Sequence, residues 1–206
     1  MKIRLLKNII LVVSFLFVSV VIGLLIDYRT NVYEVNKEFF HKIIYQEAKN
    51  HFENIKTFRT WNSKYGGVYV KSDNLEPNKY LENNHILSNK GETLVKINPS
   101  WMTKQLAELM NNNNEGKYKY KITSLKPLNP ENTANQFEEE ALKFFEKNIK
   151  ENYYYKIDDT NNVFNFMGKL SVEKSCLHCH ASQGYKEGEV RGGISISIPL
   201  EIYHSK

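Results

Sequence analysis

Cys176-Leu177-His178-Cys179-His180 is the stretch on which the reading of this chain turns. It has the form C-x-x-C-H, the attachment sequence of a c-type haem. Two thiols with two residues between them reach the two vinyl groups along one porphyrin edge. The histidine that follows lies under the iron and supplies an axial nitrogen. The motif uses both cysteines of the chain, so no other thiol competes for the bond. Structural zinc is the nearest rival, but it takes four ligands, usually as two pairs on separate segments. Here the ligands crowd into five residues, with no second Cys or Cys/His pair elsewhere. A thioredoxin-like redox pair expects a βαβ setting, which the flanking sequence does not offer. A plain disulfide is the third rival. The expected cofactor is one haem c, attached through Cys176 and Cys179, with His180 as the proximal iron ligand.

Haem is attached outside the cytoplasm, so the N-terminus tests this reading. Lys2, Arg4 and Lys7 precede Ile9 to Ile26, an apolar run broken only by Ser14, Ser19 and Gly23. Eighteen helical residues at ~1.5 Å each span ~27 Å, about one hydrocarbon core. Asp27-Tyr28-Arg29 does not resemble a signal-peptidase site, so an uncleaved anchor is expected. The three leading charges place the N-terminus in the cytoplasm and everything after Asp27 in a bacterial periplasm. The expected localisation is therefore the inner membrane, single-pass, with the haem domain outside. The 206 residues carry a formal charge of +5, scattered rather than clustered. No basic stripe argues for nucleic acid. Thirteen Tyr and eleven Phe suit the wall of a flat apolar cofactor.

From Val32 to Arg59 there is no Gly or Pro, and Val32, Val35, Phe39, Ile43, Ala48, Phe52, Ile55 and Phe58 recur at mostly three and four residues. This predicts an amphipathic helix continuing out of the membrane, a stalk through which a homodimer could form. His41 and His51 lie on it as solvated residues. Gly66-Gly67 ends the helix and leads into a short strand around Val68–Val70. Residues 71–92 read as loop. Thr93 to Ile97 alternates as a strand, and Asn98-Pro99 opens a helix as N-cap and first helical residue. Asn111 to Asn114 reads as a solvated loop. Tyr118, Tyr120 and Ile122 predict a strand with one wet face. Thr133-x-x-Gln136 fits a capping box for a helix with Phe137, Ala141, Leu142, Phe144, Phe145 and Ile149 inward. Tyr153 to Ile157 and Val163 to Val172 read as a hairpin, and Gly192-Gly193 leads into a last strand with Ile194, Ile196 and Ile198 on one face. The expectation is an α+β fold: a single PAS-like antiparallel sheet of about five strands with flanking helices. The expected domains are a cytoplasmic region and anchor over 1–27, a stalk helix over 28–60 and the haem domain over 61–206.

The chain resembles the periplasmic c-type haem-binding sensor domain found at the N-terminus of many bacterial sensor kinases, cyclase-type regulators and chemoreceptors. The matching stretches begin with Trp61-Asn62-x-x-x-Gly66-Gly67-Val68-Tyr69-Val70, Pro77-Asn78-x-Tyr80-Leu81 and Asn98-Pro99-Ser100-Trp101-Met102-Thr103-Lys104-Gln105. Thr123-Ser124-Leu125-Lys126-Pro127-Leu128-Asn129-Pro130 and Glu138-x-x-Ala141-Leu142-x-x-Phe145 follow. Ser175 to His180, Gln183-Gly184-Tyr185, Gly188 and Arg191-Gly192-Gly193-Ile194-Ser195 complete the set. The resemblance implies a haem against a PAS-like sheet, with Cys176 and Cys179 as thioether residues and His180 as proximal ligand. It leaves the sixth ligand open. Some members use a thiolate, and this chain has no third cysteine. Met102, Met110, Met167, His51 and His85 are the candidates, with Met102 in the Asn-Pro helix first. Core packing is the other reading of each methionine. His178 sits inside the attachment loop, poorly placed for the far side of the iron. Arg59 and Arg191 are candidate partners of the haem propionates, since guanidinium binds carboxylate through two parallel hydrogen bonds. Solvation is the other reading of both.

Two functions follow as expectations. The first is a membrane-anchored haem sensor of redox state or of a diatomic gas, acting in signal transduction. No kinase, cyclase or chemotaxis module follows in this sequence, so either its output would pass through a separate partner or the haem domain serves another use. The second is a monohaem c-type cytochrome for periplasmic electron transfer. No catalytic constellation stands out, and no enzyme activity is expected.

Overall fold

The structure is a computed structural model and describes residues 2–113 and 117–201, without the side chains of Lys2, Leu5, Leu6, Ile9, His178 and Cys179. It divides into two compact units, residues 1–43 and 44–206. Both draw on one long helix, α1 (Lys2–Lys64). In the first unit, the helix is long and apolar enough to cross a membrane. Its side chains over 10–26 are exposed.

In the second unit, the last third of α1 packs on a sheet. Ile44, Ala48, Phe52 and Ile55 are buried, spaced by four, four and three residues along one face. The buried register begins at Ile44, not at the expected Ile43, and Phe58 is more than half exposed. α1 also runs past the expected end of the stalk. It stops at the glycine pair, where the Gly67 N–H donates to the Asn62 carbonyl and the Gly66 N–H to that of Ser63, both at 3.0 Å. This is a Schellman cap. It needs the positive φ of Gly66 (72°), which glycine adopts without a Cβ penalty.

Among the described residues, seven strands follow in two antiparallel sheets, not one. The smaller contains β1 (Val68–Val70), β2 (His85–Leu87) and β3 (Thr93–Ile97), in the order β1-β3-β2. β2 falls in the stretch expected as loop; three residues carry too little alternation to announce a strand. Helix α2 (Pro99–Asn113) comes next, with Asn98 Oδ1 accepting the Trp101 N–H at 2.8 Å as the expected cap. α2 also takes in Asn111 to Asn113. Asn111, expected in a solvated loop, instead brackets Tyr120: its Nδ2 donates to the Tyr120 carbonyl and its Oδ1 accepts the Tyr120 N–H. Asn114 lies outside the described residues.

The larger sheet has the order β4-β7-β6-β5. Its strands are β4 (Lys119–Thr123), β5 (Tyr153–Asp158), β6 (Val163–Ser171) and β7 (Val190–Pro199). Phe164, Phe166, Ile194, Ile196 and Ile198 face α1 in one cluster. Met167 points to the other face, onto helix α3 (Gln136–Lys147) with Ala141, Leu142 and Phe145. The pleat sends alternate residues to opposite faces, so the single strand β6 serves both layers. The α+β class is observed. The capping box of α3 is Asn135-x-x-Glu138, two residues beyond the expected Thr133-x-x-Gln136. Thr133 closes a 3₁₀ turn at Pro130–Asn132. Ile149 lies beyond α3 and is 72% exposed rather than inward.

Candidate functional site

At one end of the larger sheet, β4 and β6 finish and β7 begins. There lies a cleft of about 420 Å³, within the size range of cofactor sites. Two features of the strands open it. The register of β6 against β7 shifts between Leu170 and Ser171, and such a bulge bends a strand out of its ladder. Gly192 lets β7 run against β4, because a Cβ there would sit 2.3 Å from the Thr123 carbonyl oxygen.

The Cys-His stretch forms one wall. A 3₁₀ turn (Lys174–Cys176) leads into α4 (Leu177–His180) and a second 3₁₀ turn (Ala181–Gln183). Residues four apart share a helix face, and Cys176 and His180 both line the cleft. Gly184 (φ 85°) ends the stretch, and the Tyr185 N–H returns to the His180 carbonyl at 3.3 Å. The loop is closed at its base. The Val172 N–H donates to the Glu189 carbonyl (2.9 Å) and the Gly188 N–H to the Val172 carbonyl (2.8 Å). The Ser63 and Ser175 hydroxyls, 2.9 Å apart, tie the loop to α1. The side chains of His178 and Cys179 lie outside the described residues, so the expected Cys179 thioether is not located.

The other expected residues separate into two groups. Arg59 and Arg191 line the cleft. The Arg59 guanidinium donates to the Pro99 carbonyl (2.9 Å) and to Thr103 Oγ1 (2.7 Å). Burial pulls it down to about 10, opposed by Cys176 and Glu173, and it stays cationic at neutral pH. Arg191 donates to Ser124 Oγ (2.7 Å) and stands 5.0 Å from the centre of the Tyr185 ring. Its Nε lies 3.4 Å from His180 Nδ1. Met102, Met110, Met167, His51 and His85 are not among the cleft-lining residues. α2 presents Trp101 and Lys104 instead of Met102. Met110 packs in the α1-side core and Met167 in the α3-side core. His51 sits 3.3 Å from the Tyr120 hydroxyl, whose proton burial holds well above the usual range. His85 is exposed on β2 beside Asn84.

The donor set fits a haem. A thiol and an imidazole stand on one helical face. Leu81, Trp101, Ile122, Pro127 and Leu170 supply apolar wall, and Arg59, Arg191 and Lys104 supply positive charge for carboxylates. Several contacts carry no signature legible from sequence alone. Gln183 Oε1, 3.1 Å from His180 Nδ1, lies in a matched stretch but has no signature of its own. Thr103 and Ser63 act through single hydrogen bonds that no spacing announces.

A family model described as Tll0287-like matches residues 37–199. No curated protein matches the chain. Among solved structures, the chain is similar to one titled the crystal structure of the cyanobacterial heme-protein Tll0287. The two share 16% identity with a TM-score of 0.51, over 74% of this chain and 92% of that one.

Proposed function

The chain belongs to the Tll0287-like family, and we propose that it is a membrane-anchored, periplasmic c-type haem protein that senses redox state or a diatomic gas. In this reading, Cys176 and Cys179 hold the porphyrin by thioether bonds and His180 is the proximal ligand. Arg59 and Arg191 face the propionates, and the larger sheet with α1 and α3 on its two faces is PAS-like. Lys2, Arg4 and Lys7 stay in the cytoplasm. The exposed Val32, Val35 and Phe39 of the first unit seat a second copy of the chain.

The observation that carries the reading is convergence. Segments far apart in sequence, around Asn78–Leu81, Asn98–Lys104, Ser124–Asn129 and Arg191–Gly192, meet Cys176 and His180 around one cleft. Bound there, haem supplies an iron that changes oxidation state and takes small ligands. The chain's own residues then divide the work. Apolar side chains exclude water, Arg59 and Arg191 offset carboxylate charge, and Gln183 fixes the His180 ring. The sensor role draws support from the sulfur and imidazole groups. None of the five candidates for a second protein ligand is among the cleft-lining residues, which would leave a bound iron open to an outside ligand.

An electron carrier is the second reading. Leu128 (52% exposed) and Tyr80 (38% exposed) on the cleft wall favour it, since brief redox encounters use small exposed patches. The test is a titration of the full-length, haem-loaded chain in detergent, oxidised and reduced, with CO and nitric oxide. Spectral shifts on ligand addition support the sensor. A spectrum indifferent to both gases supports the carrier.

A further inference from the structure

His180 Nδ1 lies 3.1 Å from Gln183 Oε1 and 3.4 Å from Arg191 Nε. The two neighbours make opposite demands. An amide oxygen only accepts, so Gln183 needs a proton on Nδ1. A guanidinium N–H only donates, so Arg191 needs Nδ1 bare. A neutral imidazole has one proton for its two nitrogens. When Nε2 gives its lone pair to iron, that proton stands on Nδ1, and Gln183 is the matched neighbour.

Arg191 is held without the imidazole. One of its nitrogens donates to Ser124 Oγ at 2.7 Å and to the Lys126 carbonyl at 3.4 Å. Its charge rests 5.0 Å from the centre of the Tyr185 ring, and that ring meets His180 edge-on. The Arg191 Nε–H also donates to Nδ1 in this structure; when Nδ1 carries its proton that bond is lost, and the Ser124, Lys126 and Tyr185 contacts keep the guanidinium beside the ring as a charge. The Gln183 contact is local in origin. Gln183 lies three residues after His180, in a 3₁₀ turn where such side chains stand over one another.

We propose that Gln183 is the positioning residue for His180: it holds the Nδ1–H tautomer and the ring plane and raises electron density at Nε2, while Arg191 draws density the other way. The proposal rests on the haem reading of His180. Its first test is an equilibrium redox titration of the full-length, haem-loaded chain. Q183E places an anionic acceptor on Nδ1–H and shifts the midpoint potential down. Q183L removes the acceptor and shifts it up. R191Q shifts it down. A variant that merely loosens the loop would move Q183E and Q183L in the same direction, and that result overturns the proposal. The second test needs no haem. In the haem-free full chain labelled with ¹⁵N-histidine, His180 signals are assigned by comparison with His180→Ala. The expected wild-type tautomer is Nδ1–H, kept in Q183E and mixed in Q183L. An Nε2–H tautomer in the wild type overturns it. If no haem can be loaded, the haem reading fails and the tautomer result still decides the Gln183 contact.

Discussion

The larger sheet and the cleft at its end use the same strands under different rules. In the sheet, position along the strand decides everything. Phe164 and Phe166 go to α1, and Met167 between them goes to α3. Energy there comes from apolar burial, about 1.5–3 kcal/mol for each large side chain, and neighbouring side chains of one face are interchangeable in kind. At the cleft, the strands stop pairing regularly and single polar contacts take over. Arg59 reaches Pro99 and Thr103, Ser63 reaches Ser175, and Arg191 reaches Ser124. Each such bond is worth only about 0.5–1.5 kcal/mol net. The difference teaches that changes in the sheet should be read in stability, and changes in the cleft in chemistry.

The largest expected effect tests the sheet half of that statement. Phe52 lies flat against Gly168, where a Cβ would stand 2.2 Å from its ring. Phe52→Ala should cost about 3–5 kcal/mol, measured by chemical denaturation of the full chain in detergent. Gly168→Ala should cost about 1–3 kcal/mol through overpacking. If both leave the denaturation midpoint unchanged, α1 does not pack on this sheet as described. Next is Glu138, buried at 1% exposure. Its carboxylate accepts from Lys121, from Ser195 Oγ and from the Asn135 N–H. Glu138→Ala removes the capping box and leaves the Ser195 hydroxyl only its longer contact to the Lys121 carbonyl (3.4 Å), for about 2–3 kcal/mol.

Smaller effects sharpen the cleft half. Asn98→Ala removes the cap of α2 and should cost about 1 kcal/mol. The same change should disturb the absorption spectrum of the loaded protein more than Glu138→Ala does, because α2 presents Trp101 and Lys104 to the cleft. Equal spectral effects would erase the distinction. The smallest effect is on pH. Burial and the Glu53 carboxylate push the Tyr153 hydroxyl up to about 12, and Glu140 together with burial does the same for Tyr154. The unfolded chain loses these protons from about pH 10 while the folded chain keeps them. Stability is therefore full below pH 10 and falls between pH 10 and 12. Tyr153→Phe should flatten part of that fall in alkaline denaturation curves.

Periodicity made the sheet legible. Ile194, Ile196 and Ile198 alternate, and their face is the observed one. The glycine pair and Asn98 marked helix ends correctly, because each states a local rule. The Thr133 box failed because Asn135 and Glu138 satisfy the same rule two residues later. β2 was invisible because its three exposed residues owe their pairing to β3 rather than to a pattern of their own. The cleft was legible only as a set of motifs around Cys176 and His180. Their meeting in space depends on the bulge at Leu170/Ser171 and on Gly192. Met102 illustrates the limit: its neighbour Trp101 lines the cleft, and a step of one residue around α2 turns the side chain by about 100°.

The measurement that tests the central claim most directly is haem retention under denaturing conditions. The full-length chain is produced in cells with the c-type maturation machinery, unfolded, and its mass and reduced spectrum are recorded. The account predicts one haem retained by the unfolded chain, with a thioether-type reduced spectrum, and its loss in Cys176→Ala with Cys179→Ala. A chain that carries no haem, or releases it on unfolding, contradicts the account.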